Sequence, residues 1–308
     1  MKIGIVGAGR VGEACLIAAV VRGSATEIVV VDRTRKKAEG MVTDISYGAV
    51  LAPPVKLSAG DYADLSGADL VMLTAGVNEK AGGATDRSDP EGRLKLLAKN
   101  AAIFRDIVPQ IAEAAPEAIL LVVTDPPDPL ADIVRGAAPR LNVISTGTFL
   151  DSLRFRVHLA RKLDVHPGSV DAHVIGEHGT SSVFLWSSAR VGSVPVLQAL
   201  GDQGQLPREI EKEVREANIE IIEGTGASQS GIGIVCARIA EIIARDERTV
   251  LPLGNYAEEY GVTLSLPSVL GRGGILRVMK PSMTAAEAEA LQKSADHIRS
   301  ALEKTAET

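Results

Sequence analysis

The stretch Ile3–Gly4–Ile5–Val6–Gly7–Ala8–Gly9–Arg10–Val11–Gly12 decides how the first half of this chain folds. A short apolar run enters three glycines spaced as GxGxxG, and the helical pattern of residues 13–21 follows at once. A strand, a glycine turn and a helix in this order are the setting in which the motif predicts a dinucleotide site. Gly7 would allow the tight turn, Gly9 would admit a pyrophosphate to the backbone, and Gly12 would let the helix pack on the strand. The phosphates would lie at the helix N-terminus, where free N–H groups and the helix dipole favour anions.

The next apolar strand strengthens this interpretation because it ends in an acid. Residues 27–31 are continuously apolar after Glu27, and Asp32 follows them, 20 residues beyond Gly12. In dinucleotide sites a carboxylate at this spacing binds the ribose hydroxyls. The same charge repels a 2′-phosphate, so the sequence predicts NAD as the cofactor. Arg33 and Arg35 follow closely and leave NADP open as the alternative.

Strands and helices alternate through the first half of the chain. The predicted elements are strands at 55–58, 68–74, 118–123 and 142–145, and helices at 34–47 and 93–115. This alternation indicates an α/β fold built on a doubly wound parallel sheet. Ligands of such sheets bind at the carboxyl ends of the strands, where Asp32, Ala75–Gly76 and Asp125 should lie.

Composition limits the classes of protein that the chain can belong to. Its 308 residues, 45% hydrophobic and 23% charged, predict a globular protein of about two domains. The net charge is -6, and no basic stretch with aromatics suggests nucleic-acid binding. No group of His, Cys, Asp and Glu has the spacing of metal ligands. With no signal peptide, no apolar run long enough for a bilayer and only two cysteines, we expect a soluble cytoplasmic protein without membrane contact.

The second half of the chain carries a histidine between two glycines, Gly176–Glu177–His178–Gly179, after a short apolar run. Glycines permit a sharp turn and close approach of another molecule, and a histidine can exchange a proton near neutral pH. A turn histidine at the end of a strand is the alternative interpretation. Upstream, the helical pattern at 148–162 carries Asp151 and Arg154 three residues apart, hence on one face.

Taken together, these motifs resemble the NAD-dependent lactate/malate dehydrogenase family. The resemblance covers nearly the whole chain and rests on the glycine turn, Thr74–Ala75–Gly76, Arg93–Leu94 ahead of Asn100, Asp125–Pro126, Leu150–Asp151–Ser152–Leu153–Arg154 and Gly176–Glu177–His178–Gly179. It implies a Rossmann NAD-binding domain at 1–147 and an α+β catalytic domain at 148–308, with a helix at about 227–245 docking back on the first domain. Family helices such as 154–163 and 227–244 form subunit contacts, so a homodimer or homotetramer is expected.

The resemblance also implies a role for each site residue in the interconversion of a 2-oxo acid and a 2-hydroxy acid. His178 matches the proton donor, Asp151 the carboxylate that orients it, and Arg93 the loop arginine that polarises the carbonyl. Arg154 matches the arginine that holds the substrate carboxylate. Ser228 matches a residue lining the substrate pocket, although a helix N-cap is an equal alternative. The expected cofactor-binding residues are Gly7, Gly9, Arg10, Val11, Gly12, Asp32, Thr74, Ala75, Gly76, Asn100 and Thr124.

Two departures from the family affect the expected substrate. Asp125 stands where the family has an asparagine that donates to the substrate oxygen, and an ionised carboxylate cannot donate and repels an anion. Three alternatives stay open: Asp125 is protonated by burial, it serves a different substrate, or the activity is low. We expect the bond from Asp125 to Pro126 to be cis. Glu79 falls in an extended loop at 77–92, at a position where a glutamine is typical of lactate dehydrogenases and an arginine of malate dehydrogenases. The carboxylate favours L-lactate dehydrogenase, while Arg87 in the same pocket would favour malate.

Two further hypotheses stay open. The longer loop could enclose a branched 2-hydroxy acid, and Asp125 also fits an NAD-binding protein that has lost most of its catalysis. A third departure is Asp171, where relatives activated by fructose bisphosphate have a histidine paired with the arginine matched by Arg156. An acid there disfavours a phosphate, so no activation by sugar bisphosphate is expected, and a salt bridge to Arg156 is the simpler use.

A few local expectations complete the second half. Residues 169–174 are expected to form one strand leading to His178, and residues 227–244 a helix. Thr284 and Glu287 form the signature of a capping box. His158, His166 and His297 lie in polar or helical contexts and are expected at the surface.

Overall fold

The computed structural model describes residues 1–77, 92–201 and 204–306, with the backbone alone at positions 92 and 93. Its first half contains six strands: β1 (Lys2–Val6), β2 (Glu27–Val31), β3 (Lys56–Gly60), β4 (Leu70–Leu73), β5 (Ile119–Val122) and β6 (Asn142–Ser145). These pair in parallel in the order β3-β2-β1-β4-β5-β6. Four of them, β1, β2, β4 and β5, are buried almost throughout, as expected for parallel strands covered on both faces.

Helices cover both faces of this sheet. The helices are α1 (Arg10–Arg22), α2 (Arg35–Ala49), α3 (Leu97–Ala114), α4 (Pro127–Ala137), α5 (Phe149–Leu163), α6 (Val196–Leu200), α7 (Leu206–Thr225), α8 (Ser230–Arg245) and α9 (Ala285–Ala306). One core cluster joins the sheet to α1, α2 and α8, and a second joins it to α3 and α4. The doubly wound α/β fold is therefore confirmed.

The second half adds three long strands to the same sheet. These are β12 (Thr249–Ala257), β13 (Val262–Gly271) and β14 (Gly274–Val278), which pair antiparallel with one another. β12 joins the parallel part through the pairing of Gly254 with Ser145 in β6. The result is one nine-stranded sheet in the order β14-β13-β12-β6-β5-β4-β1-β2-β3.

Between α5 and α6 the chain forms five short strands. They are β7 (Val170–Asp171), β8 (Val174–Ile175), β9 (Val183–Phe184), β10 (Arg190–Val191) and β11 (Val194–Pro195). The prediction of one strand at 169–174 was wrong, because β7 pairs with β10 whereas β8 pairs with β9. A change of partner within six residues divides the expected strand into two pieces.

Two helix starts also differ from their predictions. The helix expected from residue 93 begins as a short 3₁₀ helix, Gly92–Leu96, and α3 itself starts at Leu97. The helix expected from residue 227 starts at Ser230, with Gln229 at its N-cap position. The N-cap alternative for Ser228 is therefore excluded. At α9 the predicted capping box is confirmed, since Thr284 and Glu287 exchange backbone-to-side-chain hydrogen bonds.

Among the described residues no single helix has both the length and the apolar composition of a membrane span; α7 and α8 meet that test only when the two, bent by 119° at their junction, are taken together.

Candidate active site

A cavity of about 230 Å³ lies at the carboxyl ends of the parallel strands. Its walls come from the segments that follow β1, β4, β5 and β6, together with α5, the His178 loop and the junction of α7 and α8. The predicted site residues that line it are Gly9, Arg10, Val11, Thr74, Gly76, Thr124, Asp125, Arg154, His178 and Ser228. The structure thus brings together residues from both halves of the sequence.

The glycine turn has the geometry that a pyrophosphate requires. A Cβ built on Gly9 would meet no atom within 4 Å, so the space in front of this backbone is open. A Cβ on Gly12 would lie 2.0 Å from the carbonyl oxygen of Gly7, so only glycine lets α1 pack this closely on the turn. These residues fit a dinucleotide phosphate at the N-terminus of α1. Nη1 of Arg10 donates to the carbonyl of Thr225 at 3.1 Å and joins α1 to the end of α7.

Asp32 follows β2 and supports the turn from outside the cavity. Its Oδ2 accepts the N–H of Ala8 at 2.8 Å, and its Oδ1 accepts the N–H of Thr34 at 2.9 Å. The carboxylate therefore lies beside the glycine turn, where it can also accept ribose hydroxyls. Arg35 points to other partners, since its Nη1 lies 2.8 Å from Oδ2 of Asp61 and its Nε lies 3.2 Å from Oε1 of Glu39.

Thr74, Thr124 and Asn100 tie the cavity loops to one another. The hydroxyl of Thr74 donates to the carbonyls of Val6 and Gly7, at 3.1 and 2.9 Å, and that of Thr124 donates to Ala75 at 2.8 Å. A Cβ on Gly76 would lie 2.4 Å from the Thr124 methyl group. Because these hydroxyls bond to the backbone, they fix the shape of the wall that a cofactor would face.

Asn100 is fully buried and bridges two of these loops. Its Oδ1 accepts the N–H of Val77 at 2.8 Å, and its Nδ2 donates to the carbonyl of Asp125 at 2.6 Å. It therefore sets the position of the Asp125 backbone. The peptide bond from Asp125 to Pro126 is cis, as expected.

His178, Asp151 and Arg154 form the polar centre of the site. Nδ1 of His178 makes a short hydrogen bond to Oδ2 of Asp151, and Nη1 of Arg154 donates to Oδ1 of the same carboxylate at 3.0 Å. Their side chains are only 12%, 9% and 12% exposed, so the ion pair is no surface contact. Both His178 and Arg154 also line the cavity, and the carboxylate orients the imidazole as a proton donor requires.

Asp125 reaches the other nitrogen of the same ring. Its Oδ1 lies 3.7 Å from Nε2 of His178, and its side chain is 22% exposed. The carboxylate that stands in place of the expected asparagine therefore lies in the cavity, beside Nε2 of His178.

The assignment of Ser228 to the substrate pocket can be compared with the structure, whereas those of Glu79 and of the Arg93 side chain cannot. Ser228 lines the cavity beside Ala227. Asn218 was missed by the sequence analysis: it is a buried polar residue in an otherwise apolar stripe of α7, and it also lines the cavity. Glu79 lies outside the described residues. Arg93 lies in the 3₁₀ helix before α3, and its side chain also lies outside the description.

A second group missed by the sequence analysis lies behind His178. Asp128 is fully buried, and its Oδ2 accepts the backbone N–H of His178 at 2.7 Å. Burial raises the pKa of this carboxyl to about 7, against the opposing effect of hydrogen bonds from Ser145 and His178. His297, which was expected at the surface, has a side chain that is 33% exposed, and its Nδ1 lies 2.8 Å from Oε2 of buried Glu177.

The pair expected from the third departure is present away from the cavity. Nη2 of Arg156 lies 3.5 Å from Oδ1 of Asp171, and Nε2 of His173 lies 3.1 Å from the same oxygen. The hydrogen bond from His173 lowers the pKa of the Asp171 carboxyl. Within the described ranges, no group of three or more His, Cys, Asp or Glu side chains is placed to hold a metal ion.

Family models match both halves of the chain. Residues 1–143 match the lactate/malate dehydrogenase NAD binding domain, and residues 148–308 match the alpha/beta C-terminal domain of the same family. The chain is 42% identical to an L-lactate dehydrogenase of Deinococcus radiodurans over 97% of each sequence. It is 41% identical to an L-lactate dehydrogenase of Thermus aquaticus over 98% of each.

Solved structures agree with these sequence relatives. MGS-M5, a lactate dehydrogenase from a Medee basin deep-sea metagenome library, superposes with a TM-score of 0.90 at 32% identity, covering 99% of this chain and 98% of that one. The minor L-lactate dehydrogenase of Enterococcus mundtii gives the same score and identity over 98% of each chain. With the NAD-binding turn and the His178–Asp151 pair at the edge of the sheet, these matches show that the chain belongs to the lactate/malate dehydrogenase family.

Proposed function

We propose that this chain is an NAD-dependent L-2-hydroxy acid dehydrogenase that interconverts pyruvate and L-lactate. The observation that carries the proposal is the placement of His178, whose Nδ1 is held by Asp151 while the ring lines the same cavity as Arg154. A proton donor and a carboxylate-binding cation in one cavity are what reduction of a 2-oxo acid needs. The names of the full-length relatives at about 40% identity point to the same substrate.

His178 supplies the proton in this mechanism. NADH, when bound, supplies a hydride to the carbonyl carbon of the substrate. Nε2 of protonated His178 then gives its proton to the oxygen, and in the reverse direction neutral His178 takes it back. Asp151 holds Nδ1 and stabilises the charged ring without taking up the proton itself.

Two arginines position the substrate in the proposed mechanism. Arg154 binds the substrate carboxylate through its planar fork of N–H donors, and its bond to Asp151 fixes that fork against α5. Arg93 polarises the carbonyl oxygen and stabilises the charge that develops on it. Ser228 lines the end of the pocket that receives the substrate side chain.

We assign cofactor binding to the segments that follow β1, β2, β4 and β5. The assigned residues are Gly7, Gly9, Arg10, Val11, Gly12, Asp32, Thr74, Ala75, Gly76, Asn100 and Thr124. The open backbone at Gly9 and the carboxylate of Asp32 support this assignment. The name of the N-terminal family model states NAD as the cofactor of that domain.

Two domains are proposed on the same evidence, an NAD-binding domain at 1–147 and a catalytic domain at 148–308. The bounds of the two family models support this division. Helix α8 of the second packs on α1 of the first, since a Cβ on Gly233 would lie 2.5 Å from the carbonyl oxygen of Ala14. Nε of Arg22 also lies 2.6 Å from Oε1 of buried Glu241 across this contact.

A panel of substrates tests the proposed function. NADH oxidation is followed with pyruvate, oxaloacetate, 2-oxoisocaproate and phenylpyruvate, and NADPH replaces NADH as the control. We expect the highest kcat/KM with pyruvate. If none of the four substrates is turned over, the proposed dehydrogenase activity is refuted and an NAD-binding protein without catalysis is favoured. If kcat/KM is highest with oxaloacetate, the enzyme is a malate dehydrogenase.

Glu79 is proposed as the residue that disfavours a second substrate carboxylate. Exchange of Glu79 for Arg should raise the ratio of kcat/KM for oxaloacetate to that for pyruvate, because the charge facing that group changes sign. An unchanged ratio would mean that another loop residue faces the substrate side chain.

We propose a homo-oligomer, either a dimer or a tetramer. Exposed apolar side chains support it, namely Ile17 and Val21 on α1, Ile234 on α8, and Val50 and Leu51 after α2. Val50 is 84% exposed and Leu51 94%, which is costly for a surface that stays in water. Light scattering after gel filtration measures the state, and Ile234→Asp should shift it toward the monomer.

A cytoplasmic location is proposed for this enzyme. The chain has two cysteines, Cys15 and Cys236, and both are buried and not joined in a disulfide. Free thiols of this kind are typical of proteins in reducing compartments. Fractionation of the source cells with an activity assay would test the location.

A further inference from the structure

The loop that carries His178 has little regular structure of its own. It follows the two-residue strand β8 and precedes the two-residue strand β9. Gly176, two residues before His178, has a φ of +82° and exchanges two backbone hydrogen bonds of 2.9 Å with Ser265. The position of the His178 backbone therefore depends on contacts with the rest of the protein.

Asp128 makes the contact to the His178 backbone itself. Its Oδ2 accepts the N–H of His178 at 2.7 Å, and its Oδ1 accepts the hydroxyl of Ser145 at 2.6 Å. Both Asp128 and Ser145 are fully buried. Removing a buried acceptor leaves the N–H that it bonded without a partner, which is costly.

The surrounding backbone leaves room for this carboxylate. A Cβ on Gly254 of β12 would lie 1.9 Å from Oγ of Ser145 and 2.5 Å from Oδ1 of Asp128. Any larger residue at 254 would displace the pair. Three elements, α4, β6 and β12, thus meet at the carboxylate that holds His178.

A separate set of contacts holds the preceding residue. The backbone N–H of Glu177 donates to Oγ of Ser294 at 2.8 Å, and its carboxylate contacts His297, also on α9. Asp151 in turn holds the ring at Nδ1. Among these contacts, Asp128 is the one that fixes the main chain of His178, and it does so from the side of the sheet.

We propose that Asp128 is a positioning residue for proton transfer, which holds the backbone of His178 so that its ring can be bonded to Asp151 and face the substrate at once. The inference rests on the proposed dehydrogenase function. Asp128 does not itself line the cavity, and its contact with the site is the hydrogen bond from the backbone N–H of His178. A displaced imidazole would still leave the arginines to bind substrate, and the loss should therefore fall on kcat rather than on KM.

Asp132 provides a matched control one turn further along α4. Its carboxylate accepts three hydrogen bonds, from the backbone N–H and the hydroxyl of Thr263, both at 2.8 Å, and from Nη2 of Arg135 at 3.1 Å, and its side chain is 8% exposed. It holds β13 rather than the His178 loop. Asp128→Ala and Asp132→Ala thus each remove a hydrogen-bonded carboxylate from the same helix, with different partners.

The test measures kcat and KM for pyruvate and the Kd for NADH in both variants. Asp128→Ala should lower kcat about 30-fold, with KM and the Kd for NADH within about threefold of their original values. Asp132→Ala should leave kcat within about twofold. Asp128→Asn, which keeps an acceptor oxygen for the His178 N–H, should recover kcat to within about fivefold.

If Asp128→Ala does not fold, Ser145→Ala provides a second test, because it removes the hydroxyl that donates to Asp128 and leaves the carboxylate in place. It should lower kcat about threefold to fivefold with KM unchanged. Equal kcat in Asp128→Ala and Asp132→Ala would overturn the inference about Asp128, and so would a change in KM without a fall in kcat. Neither result would contradict the proposed dehydrogenase function. An unmodified enzyme that reduces no 2-oxo acid would overturn both.

Discussion

Nε2 of His178 lies 3.7 Å from Oδ1 of Asp125, while Nδ1 of the same ring bonds to Oδ2 of Asp151. Two carboxylates therefore flank the proposed proton donor, one at each nitrogen. Asp151 bonds to the ring from the protein side, whereas Asp125 lies in the cavity wall. An ionised Asp125 competes with the substrate oxygen for the proton on Nε2 and repels the substrate carboxylate.

Changing Asp125 to Asn should therefore raise kcat/KM for pyruvate, by about tenfold. The amide removes the repulsion and supplies an N–H donor toward the carbonyl oxygen. Steady-state reduction of pyruvate at saturating NADH measures the change. The Kd for NADH serves as the internal control and should stay unchanged. A fall in kcat/KM would show that the acid has a role of its own in this chain.

Changing Asp151 to Asn should lower kcat by at least about 100-fold, because the amide no longer stabilises the charged ring and can hold the wrong tautomer. Its expected effect is larger than that of Asp128→Ala, since Asp151 contacts the ring itself. Single-turnover oxidation of bound NADH by pyruvate isolates the chemical step. A loss seen only in KM would assign Asp151 to holding Arg154, to which it is also bonded at 3.0 Å.

The parallel part of the fold could be predicted because its strands are continuous apolar runs, such as Val29–Val30–Val31 leading to Asp32. Such runs are what burial on both faces requires. The strand at 169–174 could not be predicted correctly, because its two pieces pair with different strands. Strand partners depend on the tertiary fold, and the apolar pattern carries no information about them.

The same limit explains which site residues were missed. His178, Asp151 and Arg154 belong to motifs with fixed local spacing. Asp128 lies in the stretch Pro127–Asp128–Pro129, which reads as an ordinary turn, and its partner His178 is 50 residues away along the chain. Its burial and its shifted pKa arise only when α4, β6 and the His178 loop meet.

Cofactor choice should depend on Asp32 and on the partners of Arg35. The enzyme should prefer NADH strongly, because Asp32 repels a 2′-phosphate and Arg35 is held by Asp61 and Glu39. Asp32→Ala should lower kcat/KM for NADH about tenfold and raise it for NADPH. Combining it with Asp61→Ala should raise the NADPH value further by releasing Arg35. If the ratio of kcat/KM for NADPH to that for NADH is unchanged in both variants, the ribose binds away from Asp32.

Fructose 1,6-bisphosphate should not activate this enzyme. Asp171 is 75% exposed and bonded to both Arg156 and His173, and the His173 bond lowers the pKa of its carboxyl, which is therefore ionised near neutral pH. Its negative charge opposes a phosphate at Arg156. KM for pyruvate should thus be the same with and without the sugar bisphosphate, whereas a clear drop in KM on its addition would contradict the prediction. Asp171→His, which replaces the acid, is the variant in which a response should first appear.

The free energy of unfolding should depend on pH through the titration of Asp128. Its carboxyl has a pKa of about 7 in the folded protein, raised mainly by burial, against about 3.9 in an unfolded chain. Between these values the folded state binds the extra proton, so this group's contribution to the free energy of unfolding falls as pH rises from about 4 to about 7. Above pH 7 the contribution is constant.

Urea unfolding at pH 5 and pH 8 isolates this effect when the original chain is compared with Asp128→Asn, which cannot titrate. The difference in unfolding free energy, original minus variant, should fall by on the order of 2 kcal/mol between the two pH values. Asp132→Asn controls for the loss of one carboxylate on the same helix. Parallel pH dependence of the original chain and Asp128→Asn would mean that Asp128 stays ionised throughout, and its hydrogen bonds from Ser145 and His178 would then outweigh its burial.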